Sequence, residues 1–349
     1  MPRLLAEWEP LDGVLLTWPH ANTDWADDLD RVIPLFEALA YVISDYADVL
    51  IAAPADEVEA LKARLLELGI SDDAFMVYGV PSNDSWARDH GPLTVATDDG
   101  LVLLDYTFTG WGNKFAAELD NQISRRLAEQ GAFAVPLHSR ELVLEGGAIE
   151  SDGDRTLLTT AQCLLNPNRN PQLSKADIEA QLKADFGVEK INWLEHGYLA
   201  GDDTDSHIDT LARLCPNNTI VYVQCDDPQD EHFDAFQKME AELQAMTDAD
   251  GNPYTLIPLP WPFEVYDDEG QRLPATYANF LICNGAVLVP VYNDERDEQA
   301  LAAISEAFPG FDVLGLNCLP LIAQHGSLHC VTMQMPEGTL SLLPPGEAL

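Results

Sequence analysis

The chain has 349 residues, 46% of them apolar and 8% aromatic, and sets 18 Lys and Arg against 59 Asp and Glu for a formal net charge of −41. That apolar share can fill a sizeable core and argues against a disordered chain. So negative a surface excludes nonspecific binding to nucleic acid or an anionic membrane.

A solvated acidic surface is the plain explanation of the charge, and a field drawing in a cationic substrate would act alongside it. The N-terminus, Met1 to Pro10, lacks the apolar stretch of a signal peptide, and no apolar run approaches the ~20 residues that span a bilayer. A cytoplasmic protein is expected. The six cysteines contain no Cys-x-x-Cys pair, so Cys163, Cys215, Cys225, Cys283 and Cys318 read as reduced core thiols and no structural zinc is expected. No linker or composition shift interrupts the chain, which predicts a single domain over 1–349.

Apolar periodicity predicts one unit repeated along the chain: a strand, a turn, a second strand, an amphipathic helix and a third strand. The first copy lacks its opening strand and begins with Gly13–Pro19, a helix near 29 to 45, and Asp48–Ala52. The next has Pro92–Val95, the turn Asp98-Asp99-Gly100, Leu101–Asp105, a helix near 116 to 130, and Phe133–Pro136. A third follows Glu145, with a turn at Ser151–Asp154, Thr156–Thr160, a helix near 175 to 186, and Lys190–Leu194. From Ser206 the order returns through the turn Pro216-Asn217-Asn218 to Cys225, a helix near 231 to 248, and Tyr254–Leu259. The last copy is Ala278–Cys283, the hairpin signal Asn284-Gly285, Ala286–Tyr292, a helix near 296 to 307, and Phe311–Leu316. Leu328–Met333 would then supply the strand missing from the first copy, so that the two ends of the chain close a ring.

Like positions in successive copies hold Asp89, Glu145, His207, Asn279 and Cys330, separated by 56, 62, 72 and 51 residues. In a ring of repeats such positions project toward one axis. A thiolate that attacks, an imidazole that moves protons and carboxylates that hold positive charge suit covalent chemistry on a cationic carbon, which points to guanidine hydrolysis. His207 and Asp209, two apart, would share one strand face. Each residue also has a plainer reading. Asp89 could pair with Arg88, Glu145 could serve the turn at Gly146-Gly147, and Cys330 could be a small core residue. Trp86 and the segment Trp111–Phe115 fit a pocket wall or the core equally well. His20, His90, His138, His196 and His232 show no metal-ligand spacing and read as surface or capping residues.

The ordered set Ala6-Glu7-Trp8-Glu9-Pro10, Trp18-Pro19-His20, Trp86-Ala87-Arg88-Asp89, Glu145-Gly146-Gly147, Cys163–Pro171, Gly201–Asp209, Tyr277–Phe280 and His329-Cys330-Val331-Thr332 resembles the agmatine deiminases of the bacterial peptidyl-arginine deiminase family, over essentially the whole chain. The resemblance implies a five-bladed α/β propeller, the pentein fold. It implies Cys330 as nucleophile, His207 as general acid and base, Asp89 and Asp209 as ligands of the guanidinium nitrogens, and Glu145 as an orienting partner. Trp86 and Asn279 join the substrate-binding set. Agmatine would yield N-carbamoylputrescine and ammonia, a step toward putrescine, with no metal or organic cofactor. The segment Asn166–Pro171 reads as a structural loop. The partner expected is a small cationic guanidine, and a homo-oligomer stays open.

Two departures from the family pattern flank the pocket: Ala323-Gln324-His325-Gly326 where a glycine-rich stretch is usual, and Ser206 in place of glycine. They bear on the substrate's far end. Agmatine's second cation calls for an acid there, for which Asp203 and Asp205 are the candidates, while arginine would call for a basic residue. Arginine or peptidyl-arginine deimination, amidinotransfer to an amine, and guanidinium binding without turnover remain the alternatives.

Overall fold

The computed structural model describes residues 1–341. They form two compact units, one of Met1–Trp8 with Gly147–His329 and one of Glu9–Gly146 with the segment that begins at Cys330. Among the described residues no helix is long and apolar enough to cross a membrane.

The unit containing Glu9–Gly146 holds two sheets. In the first, Thr332–Pro336 runs antiparallel to Leu11–Thr17, which pairs in parallel with Asp48–Ala53 and through it with Phe75–Gly79. The helix Leu29–Ser44 covers this sheet because Val32, Leu35, Phe36, Leu39 and Ile43 recur at three- and four-residue spacing and are buried. Phe36, Leu39 and Ile43 are fully enclosed, each worth about 1.5–3 kcal/mol of burial. In the second sheet Leu93–Thr97 is antiparallel to Gly100–Thr107, which is parallel to Leu137–Val143.

The other unit repeats this order three times. Ile149–Ser151, Thr156–Thr160 and Lys190–Leu194 form one sheet; Ala212–Cys215, Thr219–Val223 and Thr255–Leu259 a second; Leu281–Cys283, Ala286–Val291 and Asp312–Asn317 a third. In each, the first pair is antiparallel and the second parallel, with the helices Lys175–Phe186, Phe233–Ala245 and Asp297–Ala307 in the crossovers. Asn284 and Gly285 both take positive φ, 38° and 88°, as a two-residue hairpin turn requires.

The predicted repeat therefore recurs five times among the described residues, with corrections at its edges. The helix expected near 116 to 130 spans only Ile123–Glu129. Ahead of it the backbone is diverted: Trp111, Gly112 and Asn113 take positive φ, and the Leu119 N–H donates to Asn83 Oδ1 at 2.7 Å. Phe133–Pro136 is not the third strand of its copy. The C-terminal segment captures it instead, with Ala134 N donating to Thr339 O and Ser341 N to Ala132 O at 2.9 Å each, so pairing resumes at Leu137. The helix Val58–Glu67 and the strand Phe75–Gly79 extend the first copy beyond the repeat.

The most consequential correction concerns where strands begin. The strand expected at Leu328–Met333 starts at Thr332, and His329–Val331 is a 3-10 turn. Short turns at Ala87–His90, Gly146–Ala148 and Ile208–Thr210 likewise stand ahead of the strands at Leu93, Ile149 and Ala212. His207 and Asp209 thus share no strand face; His207 caps a turn closed by the bonds of Thr210 N to His207 O and Leu211 N to Ile208 O. Of the histidines read as surface or capping residues, His232 is the N-cap residue of the helix Phe233–Ala245, and His20, His90 and His232 lie off the surface. They are buried, with His20 Nε2 3.0 Å from Ser82 Oγ and His90 Nε2 3.2 Å from Thr17 Oγ1.

Candidate active site

In the unit of Glu9–Gly146, Trp86 leads into the turn Ala87–His90, where Arg88, Asp89 and His90 are all buried. Arg88 donates to the Gln334 side chain and reaches Met333 Sδ at 3.6 Å. Asp89 Oδ2 accepts the indole N–H of Trp111 at 2.9 Å. Trp111 delivers that bond from the left-handed region, φ 55° and ψ 46°, which a bulky side chain adopts only under constraint. The constraint is aromatic packing: Phe108, Phe115 and Trp86 stand edge-on to it at 5.1, 5.5 and 6.4 Å, and Trp86 rests on Trp25 at 5.7 Å.

The approach to this turn carries two buried acids. Asp120 accepts the backbone N–H groups of Asn83 at 2.6 Å and Asp84 at 3.2 Å. Burial pushes its carboxyl up to about 7, against those two bonds, and pushes Asp84 up to about 6. Glu145 is fully buried ahead of Gly146, where a Cβ would come 2.2 Å from Arg88 O, so only glycine fits. Cys330, 4% exposed, occupies the 3-10 turn before Thr332–Pro336.

In the other unit His207 is fully buried. Its N–H donates to Thr204 Oγ1 at 3.0 Å, and its carbonyl accepts from Thr210 Oγ1 at 2.8 Å. The Cys163 sulfur lies within 4.8 Å of a ring nitrogen of His207. Asp209, also fully buried, places Oδ2 2.8 Å from Nδ1 of His329. Asn279 donates to Asp209 O at 3.3 Å and accepts the His329 N–H on Oδ1 at 2.9 Å. The Trp111 indole N–H thus fixes Oδ2 of Asp89, and the His329 ring fixes Oδ2 of Asp209.

Sequence reasoning left His329 without a role, yet it ties Asp209 and Asn279 together and is the residue before Cys330. Only its place in the motif beside the cysteine signalled it. Burial pushes the Cys283 thiol up to about 12 and raises Cys215 and Cys318 as well, which makes these thiols poor nucleophiles.

The loop with both candidate distal acids is organised by a third. Asp202 accepts the N–H of Thr204 at 3.0 Å and of Ser206 at 2.7 Å. Asp205, at φ 66°, takes an ion pair from the enclosed Arg169 and a bond from Asn168 Nδ2 at 3.2 Å. Arg169 also donates to Thr204 O at 2.8 Å, so the segment Asn166–Pro171 braces this loop. His325, one of the departures from the family pattern, meets the same loop with Nδ1 2.7 Å from Gly201 O.

The family model of the Porphyromonas-type peptidyl-arginine deiminases matches residues 3–336. The chain belongs to that family. Among relatives of this deiminase, the agmatine deiminase of Stutzerimonas stutzeri is 34% identical, with 95% of this chain and 94% of that protein aligned. That of Medicago truncatula is 32% identical, with 95% of each covered. Among solved structures, a cysteine-to-serine agmatine deiminase of C. jejuni with substrate bound superimposes with a TM-score of 0.89 at 37% identity, covering 97% of each chain. The Enterococcus faecalis agmatine deiminase gives 0.87 at 30% identity, covering 97% of this chain and 96% of that one. The mixed α/β fold is thus that of the agmatine and peptidyl-arginine deiminases.

Proposed function

We propose that this deiminase hydrolyses agmatine to N-carbamoylputrescine and ammonia through a covalent cysteine intermediate, a step toward putrescine. The observation that carries the reading is the near end-to-end correspondence with agmatine deiminases, one of them a cysteine-to-serine variant holding substrate. In the proposed sequence, the Cys330 thiolate adds to the guanidinium carbon and His207 protonates the departing nitrogen, which leaves as ammonia. His207 then takes a proton from water as the oxygen bonds to carbon. The carbon–sulfur bond breaks, the thiolate returns, and the ureido product departs. Asp89 and Asp209 hold the planar cation and Glu145 orients the reacting groups, while Trp86 and Asn279 complete the binding set.

The recurrence of one sheet order five times supports reading the fold as a five-bladed α/β propeller in one domain. At the far end of the substrate, the ion pair between Arg169 and Asp205 favours a ligand without a carboxylate, because the guanidinium that braces the loop is already engaged. Asp203, on the same loop, is the better receiver for the distal ammonium. Incubation with agmatine, arginine and an arginyl peptide, reading ammonia and ureido product from each, tests the assignment. Preference for either arginine substrate would overturn it.

A further inference from the structure

The least expected group in the structure is Arg213, in the strand Ala212–Cys215. Its side chain is wholly enclosed, and a buried cation costs several kcal/mol unless its donors are matched. Here they are matched. Nε donates to Glu150 Oε1 at 2.5 Å and Nη2 to Glu7 Oε2 at 2.5 Å. Nη1 donates to the carbonyls of Ala278 at 3.1 Å and Phe280 at 2.6 Å, and the guanidinium carbon stands 4.4 Å from the centre of the Phe280 ring. Burial alone would make the guanidinium less basic, but the carboxylates of Glu150, Glu7 and Asp209 more than restore it.

The choice of partners is informative. Ala278 and Phe280 flank Asn279, so one planar fork clamps the turn that presents the Asn279 side chain. Asn279 in turn accepts the His329 N–H on Oδ1 at 2.9 Å and on its own carbonyl at 3.1 Å. The His329 ring is fixed on both edges, with Nδ1 2.8 Å from Asp209 and Nε2 3.0 Å from Glu7 and 3.1 Å from Arg213 Nη2. The Nε2 edge of the His329 ring thus meets Arg213 and its partner Glu7 directly, and its backbone N–H is held by Asn279, whose flanking carbonyls Arg213 clamps; the next residue is Cys330.

We propose that Arg213, braced by Glu7 and Glu150, is a positioning residue for the nucleophile, holding Asn279 and His329 so that the turn His329–Val331 presents Cys330 in a reactive geometry. The inference rests on Cys330 being the nucleophile, as the proposed function has it. Glu7 belongs to the N-terminal motif Ala6–Pro10, and its carboxylate on His329 and Arg213 gives that motif a function. A merely structural ion pair would support the fold and leave the reactivity of the cysteine unchanged. A positioning role alters kcat and thiol reactivity at little cost to substrate binding.

The test uses the full chain as Glu7→Gln and Arg213→Lys. Two readouts apply: steady-state agmatine hydrolysis, and the pH profile of Cys330 alkylation by iodoacetamide, resolved by peptide mass without substrate. In Glu7→Gln we expect kcat to fall about tenfold or more, KM to change by less than about threefold, and the alkylation midpoint to move by at least about half a pH unit. Arg213→Lys keeps the charge but loses the fork, and its loss of kcat should be larger. If the wild type releases no ammonia from agmatine, the substrate assignment fails while the alkylation profiles still judge the role of Arg213. Variants that lower the melting temperature yet keep the wild-type kcat and alkylation profile would overturn the proposal. Glu7, whose side chain is 20% exposed, decides the matter if Arg213→Lys does not fold.

Discussion

Replacing Trp111 with Phe removes one atom group of known consequence, the indole N–H that donates to Asp89 at 2.9 Å. The phenyl ring can retain the edge contacts to Phe108, Phe115 and Trp86, so the change isolates the hydrogen bond better than alanine would. A bond to a charged group contributes about 1.5–3 kcal/mol. If Asp89 holds the guanidinium and relies on Trp111 for its orientation, that becomes a loss of about tenfold to about a hundredfold in kcat/KM. The assay is initial-rate ammonia release from agmatine by wild type, Trp111→Phe, Asp89→Asn and the double variant, with melting temperatures alongside. Acting through Asp89, Trp111 should show strong coupling, and the double variant should lose little more than Asp89→Asn alone. Losses that simply add, or a Trp111→Phe enzyme with full kcat/KM, would refute the reasoning and return Trp111 to the aromatic core.

Three further outcomes are expected. Cys330→Ser should lower kcat by at least about a thousandfold with an unchanged circular dichroism spectrum, and mass spectrometry of quenched wild-type enzyme should place the adduct on Cys330 rather than Cys163, Cys215 or Cys283. Asp203→Asn should raise KM for agmatine while sparing a guanidine with an uncharged tail; Asp205→Asn should instead lower the melting temperature, because it leaves the enclosed Arg169 without its carboxylate. Stability should fall as pH rises from about 4 to about 7. Burial lifts Asp120 to about 7 from an ordinary 3.8, so the folded chain retains a proton there that the unfolded chain has released. The stabilisation is complete below the unfolded value and is lost toward the folded one, by at most on the order of 4 kcal/mol. Urea titrations of Asp120→Asn at both ends of that window should show a flatter dependence than wild type.

The repeat was legible because it is written in local signals. Asn284-Gly285 fixes a hairpin, and the spacing of Val32, Leu35, Phe36, Leu39 and Ile43 fixes a helix face. The strand onsets at Ala212 and Thr332 were not, because Ile208, Thr210, Leu328 and Val331 are apolar or β-branched enough to pass for strand while Ile208–Thr210 and His329–Val331 close 3-10 turns. The helix at Ile123 was overestimated because its shortening depends on Asn83, far back in the chain. Residue types and spacing put forward Asp89, Glu145, His207, Asp209 and Cys330 as candidates. The contacts among Glu7, Glu150, Arg213 and His329 join segments widely separated in sequence, and no window of sequence contains them. Asp203 and Asp205 looked alike from sequence, and the pairing of Asp205 with Arg169 separates them.

The strand Thr332–Pro336 completes its sheet by pairing Thr332 with Leu16 and Met333 with Leu15, joining the last described strand to one of the first made. During synthesis the edge of Leu11–Thr17 must wait for nearly the whole chain, exposed to other partners until the C-terminal segment leaves the ribosome. Pairing of such high sequence separation is also slow to form. The turn carrying Cys330 can take its place only when that strand docks. With Cys330 as the proposed nucleophile, a chain in which that strand has not docked would be unarmed.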